Sequence, residues 1–169
     1  MHGDDFADLY GRYVQRLLNY MRVRVSDESL AQDLVAAAFE RAFAKRHQLR
    51  DPEAFGAWLF RIARNELNQH YRSQSLRAAQ VPLVAMAAVP DGDAPPEVQA
   101  ARQQELSEVL EALSGLPERE QEIIHLKFVG GLTNRSIAGV LRLSEGHVAV
   151  ILYRAIRKLR GILGAEESE

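Results

Sequence analysis

The stretch from residue 78 to residue 101, AAQVPLVAMAAVPDGDAPPEVQAA, limits what this chain can fold into more than any other. It holds Pro82, Pro90, Pro95 and Pro96, with a Pro-Asp-Gly turn signal and a Pro-Pro pair. Proline has no amide hydrogen and its ring collides with the preceding helical turn, so a continuous helix through this segment is disfavoured. The segment reads as a linker. It divides the 169 residues into an N-terminal domain, residues 1–77, and a C-terminal domain, residues 102–169. No internal repeat or low-complexity tract interrupts either part.

Both flanking parts carry helical periodicity, and neither demands a sheet. Leu9, Tyr13, Leu17 and Tyr20 recur at three- or four-residue spacing, as do Leu30, Leu34 and Ala38. Phe55, Trp58, Leu59, Ile62 and Leu67 mark another apolar face, which makes Trp58 a packing residue before a stacking platform. Ser26 and Asp27 offer an N-cap, and Asp51-Pro52 begins the next helix with proline in its first turn. In the second half, a helix over residues 98–113 precedes GLPEREQEIIHLKFVGGL. There Pro117 fits a first turn, Glu118 and Glu120 suit the positive end of the helix dipole, and Gly130-Gly131 ends the helix. Thr133 caps NRSIAGVL and Ser144 caps the last helix, where Val148, Leu152, Ala155, Leu159 and Ile162 share a face. The expected fold is all-α: a helical bundle and a helix-turn-helix joined by the linker.

The absence of cysteine excludes disulfides, thiolate metal ligation and thiol redox sensing. No apolar run reaches the roughly 18 residues of a membrane span, and MHGDDFADLY lacks the order of a signal peptide. A cytoplasmic protein with no membrane insertion of its own is expected. The net charge of -2 conceals its distribution. Residues 41–77 carry eight Lys/Arg against Asp51, Glu53 and Glu66, a balance of +5. Residues 134–160 carry six against Glu145, again +5, while residues 81–112 carry six acids against Arg102, giving -5. Two basic patches around an acidic middle suit a polyanionic partner.

Residues 133–160, TNRSIAGVLRLSEGHVAVILYRAIRKLR, have the form of a helix-turn-helix, with small Ala138 and Gly139 where two helices must cross closely. A second helix of this kind puts its first residues into the major groove and its basic groups on phosphates. Arg154, Arg157, Lys158 and Arg160 suit phosphates, but they equally complement their own helix dipole. Local sequence leaves that choice open.

The wider pattern narrows it. LPEREQEIIHLKFVGGLTNRSIAGVLRLSEGHVAVILYRAIRKLR, residues 116–160, resembles region 4 of a bacterial extracytoplasmic-function (ECF) sigma factor. AQDLVAAAFERAFAKR, residues 31–46, resembles region 2.2, and AFGAWLFRIARNELNQHYR, residues 54–72, resembles regions 2.3 and 2.4. The resemblance implies two all-helical domains, σ2 and σ4, that bind RNA polymerase core at its clamp and flap and direct it to promoter DNA. In σ2 it places Lys45, Arg46, His47, Gln48 and Arg50 at the loop holding an unstacked −10 base, and Arg61, Arg64, Asn65 and Arg72 on the helix tracking the −10 strand. Asp33, Leu34, Phe39, Arg41 and Ala42 would lie on the helix docking against the clamp, although Leu34 and Phe39 also read as ordinary packing. Acidic Asp91, Asp93 and Glu97 would follow the family's path through a basic channel. An anti-sigma factor is an expected partner. No cofactor, metal or catalytic residue is implied.

Three positions depart from the family pattern. Ala36 and Ala37 stand where Gln and an acidic residue often follow DLV, which removes two polar contacts to core. Arg142 stands where the turn often has glycine. Ala149, Val150 and Ile151 stand where Lys, Ser and Arg are common. Ile151 is expected to pack inward, while Ala149 and Val150 face thymine methyl groups and His147 and Tyr153 offer hydrogen bonds. Arg135, Arg142, Ser144, Arg154, Arg157 and Lys158 complete the −35 surface. The alternative is that the apolar strip binds a protein.

Rival functions need other features. EIIH, residues 122–125, has the Glu-x-x-His spacing of di-iron carboxylate proteins but occurs once, and Glu66 with His70 lacks a third ligand. An ordinary two-domain helix-turn-helix regulator, or a sigma-like protein acting by sequestration, remain the alternatives.

Overall fold

The structure, a computed structural model of the chain, describes residues 3–74 and 93–166. Every regular element among them is helical. Helix α1 (Gly3–Arg22) buries Phe6, Leu9, Leu17, Tyr20 and Met21 along one stripe. Asp27, not Ser26, caps α2 (Glu28–Ala44): its Oδ1 accepts from the Ser29 and Leu30 amides at 2.8 and 3.2 Å. Asp51 accepts from the Glu53 amide at 2.9 Å and starts a tight 3₁₀ turn, Pro52–Ala54, that runs into α3 (Phe55–Ser73). Trp58 is half-buried, with its ring 6.1 Å from that of Phe55, in the packing position its spacing predicts.

Residues 78–92 of the expected linker lie outside the described residues. The rest of it is corrected, because α4 (Pro96–Ser114) begins at the second proline of the Pro-Pro pair. Proline is at home in a first turn, where its missing amide hydrogen has no intrahelical partner to lose. Pro117 is likewise the cap of α5 (Glu118–Ile124), one residue ahead of the expected position. A π-helical turn, His125–Val129, widens the end of α5. Gly131 follows with φ +64°, a left-handed value that glycine adopts without steric cost.

The Thr133 hydroxyl accepts from the Ser136 amide at 3.1 Å and opens α6 (Asn134–Leu141). Arg142 closes it at φ 57°, ψ 45°. The Ser144 hydroxyl accepts from the His147 amide at 3.1 Å at the start of α7 (Glu145–Glu166). Val148, Leu152 and Ala155 are buried and Leu159 is half-buried, whereas Ile162, one turn beyond the packed region, is exposed.

The two halves share one continuous apolar core. Helix α3 lies along α6, and α1 lies against the π-helical turn. Gly139 was expected to ease the crossing of α6 and α7. A Cβ built on it would make an ordinary 3.7 Å contact with the Ala57 side chain of α3, which places Gly139 at the seam between the halves. Gly130 is the close approach there, where a Cβ would fall 2.8 Å from the Phe60 ring.

Candidate nucleic-acid and polymerase interfaces

Helices α6 and α7 meet at 105°, the crossing of a DNA-binding helix-turn-helix. The αL residue at its turn is Arg142, whose side chain is exposed. Every residue expected on this surface is exposed: Arg135, Arg142, Ser144, His147, Ala149, Val150, Tyr153, Arg154, Arg157 and Lys158. Val150 and Tyr153 stand out as large apolar side chains left in water, at 46% and 66% exposure. Ile151 is half-buried against the core, as expected. One residue is not the free cation it was expected to be. Lys158 Nζ lies 2.7 Å from Glu120 Oε1 on α5, so a phosphate would have to displace that carboxylate. Arg154 and Arg157 carry no such pair among the described residues and are the cations open to a polyanion.

The loop between α2 and α3 leaves Lys45, His47, Gln48 and Arg50 exposed and anchors itself by packing Leu49 against the core. Arg46 is held locally: its guanidinium lies 4.1 Å from the Phe43 ring centroid and donates to the Phe43 carbonyl at 2.8 Å. These two contacts hold the Arg46 side chain against the end of α2. On α3, Arg61, Asn65 and Arg72 are exposed at four- and seven-residue spacing, which places them on one helical face.

Arg64 does not join them. Its Nε lies 2.6 Å from Glu122 Oε1 on α5, with the Glu122 side chain only 7% exposed. That hydrogen bond raises the Arg64 pKa above its ordinary value. Around this pair sit Tyr20, Arg24 and His125. Burial pushes the Tyr20 hydroxyl up to about 12 and holds His125 down at about 4. Neither His125 ring nitrogen, nor the Tyr20 hydroxyl, has a hydrogen-bond partner among the described residues. Glu122 and His125 are thus the pair whose spacing suggested a metal, and the carboxylate is engaged by Arg64.

On α2, Leu34 and Phe39 are buried in the bundle core, as their alternative reading as packing residues has it, and Ala42 is buried with them. Asp33 is exposed, and Arg41 is exposed but paired with Glu66 at 2.7 Å. The structure offers other apolar contacts that periodicity missed. Tyr10 and Phe43, 46% and 44% exposed, stand beside Phe39 and Phe6 at ring distances of 4.6 and 5.1 Å. Phe128, 64% exposed on the π-helical turn, is a third. Their signal in the sequence was aromatic residues falling just off the core register.

The described residues thus form an all-helical protein with a helix-turn-helix in its C-terminal half and an exposed basic helix, α3, in its N-terminal half. Comparison with known proteins makes this specific. Residues 9–77 match the Sigma-70 region 2 family and residues 112–161 match Sigma-70, region 4. The chain is 32% identical over 164 residues to the ECF RNA polymerase sigma factor BldN of Streptomyces coelicolor, covering 95% of this chain and 61% of BldN. It is 30% identical over 164 residues to the ECF RNA polymerase sigma factor SigL of Mycobacterium tuberculosis, covering 93% of this chain and 84% of SigL. Among solved structures, CnrH in complex with the cytosolic domain of CnrY aligns with TM-score 0.62 and 28% identity over 95% of this chain and 88% of that one. The chain belongs to the ECF sigma factors. It spans less than two thirds of the length of BldN.

Proposed function

We propose that this chain is a sigma factor that binds RNA polymerase core and directs it to promoters by reading a −10 and a −35 element and holding the melted −10 strand. The observation that carries the reading is the joint exposure of two separate cationic surfaces. Arg61 and Arg72 lie on α3, and Arg154 and Arg157 lie on α7, in a chain whose halves match regions 2 and 4 in order. The protein supplies recognition, and polymerase supplies the chemistry.

In this reading Arg135, Arg142, Arg154 and Arg157 hold phosphates, and Lys158 joins them by exchanging Glu120 for DNA. The first turns of α7 face the major groove. With no charged side chain between His147 and Ile151, base discrimination falls to apolar contact of Ala149 and Val150 with thymine methyls, and to hydrogen bonds from His147 and Tyr153. Lys45, His47, Gln48 and Arg50 border the unstacked −10 base, and Arg61, Arg64, Asn65 and Arg72 follow the strand. Core docking uses Asp33 and Arg41 with exposed Tyr10 and Phe43 on σ2, and Phe128 on σ4. The chain acts in the cytoplasm, where polymerase is, and an anti-sigma factor is its inhibitor.

A retention assay on immobilised core followed by a mobility shift on promoter duplex tests this. The chain is expected to bind core, and the resulting complex alone to shift the promoter. An ordinary helix-turn-helix regulator would shift duplex DNA without core and would not be retained on it.

A further inference from the structure

The helix-turn-helix carries an acid on a surface otherwise made for a polyanion. Residues 134–160 hold six Lys/Arg and a single carboxylate, Glu145. It stands exposed in the first turn of α7, and no hydrogen bond or ion pair engages it among the described residues. The cap of α7 does not need it. Ser144 supplies that, its hydroxyl accepting from the His147 amide at 3.1 Å, and His147 fills the third helical position where a capping-box acid would sit. What the fold draws from Glu145 is attraction to the helix dipole. Against DNA the charge is unfavourable: a carboxylate costs roughly twofold in affinity for each phosphate about 8 Å away across water. That cost is offset where the DNA presents a donor.

The geometry aims the carboxylate at bases. Side chains on a helix lean towards its N-terminus, and the N-terminal end of such a helix is the one that enters the groove. Glu145, Ala149 and Tyr153 follow one another at four-residue spacing, which lines them along one flank of α7, and all three are exposed. Glu145 thus leads the flank that presents Ala149 and Tyr153 to the bases. Gly146 leaves the turn bare beside it, with nothing within 4 Å of a Cβ built there.

An ionised carboxylate accepts hydrogen bonds and donates none. In the major groove guanine N7 and O6 and thymine O4 are acceptors and repel it, which leaves the amines of cytosine and adenine. Adenine sets its N7 acceptor beside that amine and so suits an amide, which has both a donor and an acceptor. Cytosine offers the amine with no acceptor beside it on the same base, and suits a carboxylate. We propose that Glu145 is a specificity-determining residue that accepts from the N4 amine of a cytosine, so that this chain requires a C·G pair in the same −35 element as the thymines that Ala149 and Val150 contact. The contact rests on the assignment of α7 to the −35 element.

The test uses the full chain bound to polymerase core and selects among promoter fragments whose −35 positions are randomised. The wild-type complex is expected to enrich cytosine at one position by roughly five- to tenfold, the lower range for a base contact. Glu145→Gln replaces an acceptor by a donor and an acceptor, and should move the preference at that position to adenine. Glu145→Ala should lose the preference there, keep the thymines, and bind mismatched elements more tightly. Replacing the selected cytosine with pyrimidin-2-one, which lacks only the amine, should weaken the wild-type complex far more than the Glu145→Ala complex. A residue that served the helix dipole alone would lower the melting temperature in both variants and move no base preference, so unchanged selections overturn the contact. A wild-type selection that yields −10 and −35 elements without the cytosine overturns it too, and leaves the sigma-factor reading standing. A complex that enriches no element at all overturns the sigma-factor reading, and the contact with it.

Discussion

Arg142 is the position at which stability and DNA binding should separate most cleanly. It ends α6 in the left-handed region, at φ 57° and ψ 45°, where its amide donates to the Ala138 carbonyl. A side chain with a Cβ is strained there by about 1–2 kcal/mol. Replacing it with glycine removes that strain but enlarges the freedom of the unfolded chain, which costs about 0.4–1 kcal/mol. The side chain itself is exposed, so little packing is lost. Arg142→Gly should therefore stabilise by about 0.5–1 kcal/mol, a rise in melting temperature of roughly 1–4 °C for a chain of this size. The same change removes one phosphate contact, so the slope of log K against log salt for promoter binding by the polymerase complex should fall by about 0.9. Thermal melts of the free chain and a salt titration of promoter binding read the two effects separately. A lower melting temperature, or an unchanged salt slope with a wild-type affinity, would show that Arg142 belongs to the fold and not to the DNA surface.

Four other outcomes are expected. His125 is neutral and buried, facing Tyr20, Arg24, Glu122 and Arg64. Its folded pKa of about 4 lies below the 6.5 of the free side chain, so the unfolded chain takes up its proton first. Stability is then full above pH 6.5 and declines as pH falls towards 4, by up to roughly 3 kcal/mol. Urea unfolding across that window should show this slope, and His125→Leu should flatten it. Replacing thymine with deoxyuridine in the −35 element should weaken binding by about 0.8 kcal/mol per methyl contacted, near four-fold. Val150→Ala should lose that sensitivity, and a wild-type chain indifferent to uracil would assign the apolar strip to a protein partner. Arg154→Ala should reduce both promoter affinity and its salt slope with stability unchanged. Lys158→Ala should cost stability no more than the ~1 kcal/mol of an exposed pair, because Glu120 already occupies that ammonium.

The helices were legible because each has a local signature: an apolar stripe, a cap at Asp27, Thr133 or Ser144, a glycine stop at Gly130 and Gly131. So was the αL turn at Arg142, since the position and the residue that usually fills it were both visible. The start of α4 was misplaced because Pro-Pro reads as a break, yet the second proline suits a first helical turn. The exposure of the α7 residues was legible because it follows directly from the core stripe of that helix. Which side of α2 is covered was not. Leu34, Phe39 and Ala42 lie on the face that α1 and α3 cover, and a resemblance gives the helix without giving the covered side. The pairing of Arg64 with Glu122 joins residues 58 positions apart, and no periodicity announces it. Only the packing of α3 along α6 brings them together.

Run-off transcription with purified polymerase core, this chain and a library of genomic promoter fragments tests the central claim most directly. The account predicts discrete transcripts that depend on the chain, start downstream of shared −10 and −35 elements, and are lost with Arg154→Ala and with Arg61→Ala. Core retention without promoter-specific transcripts, or transcripts that share no pair of elements, would contradict it.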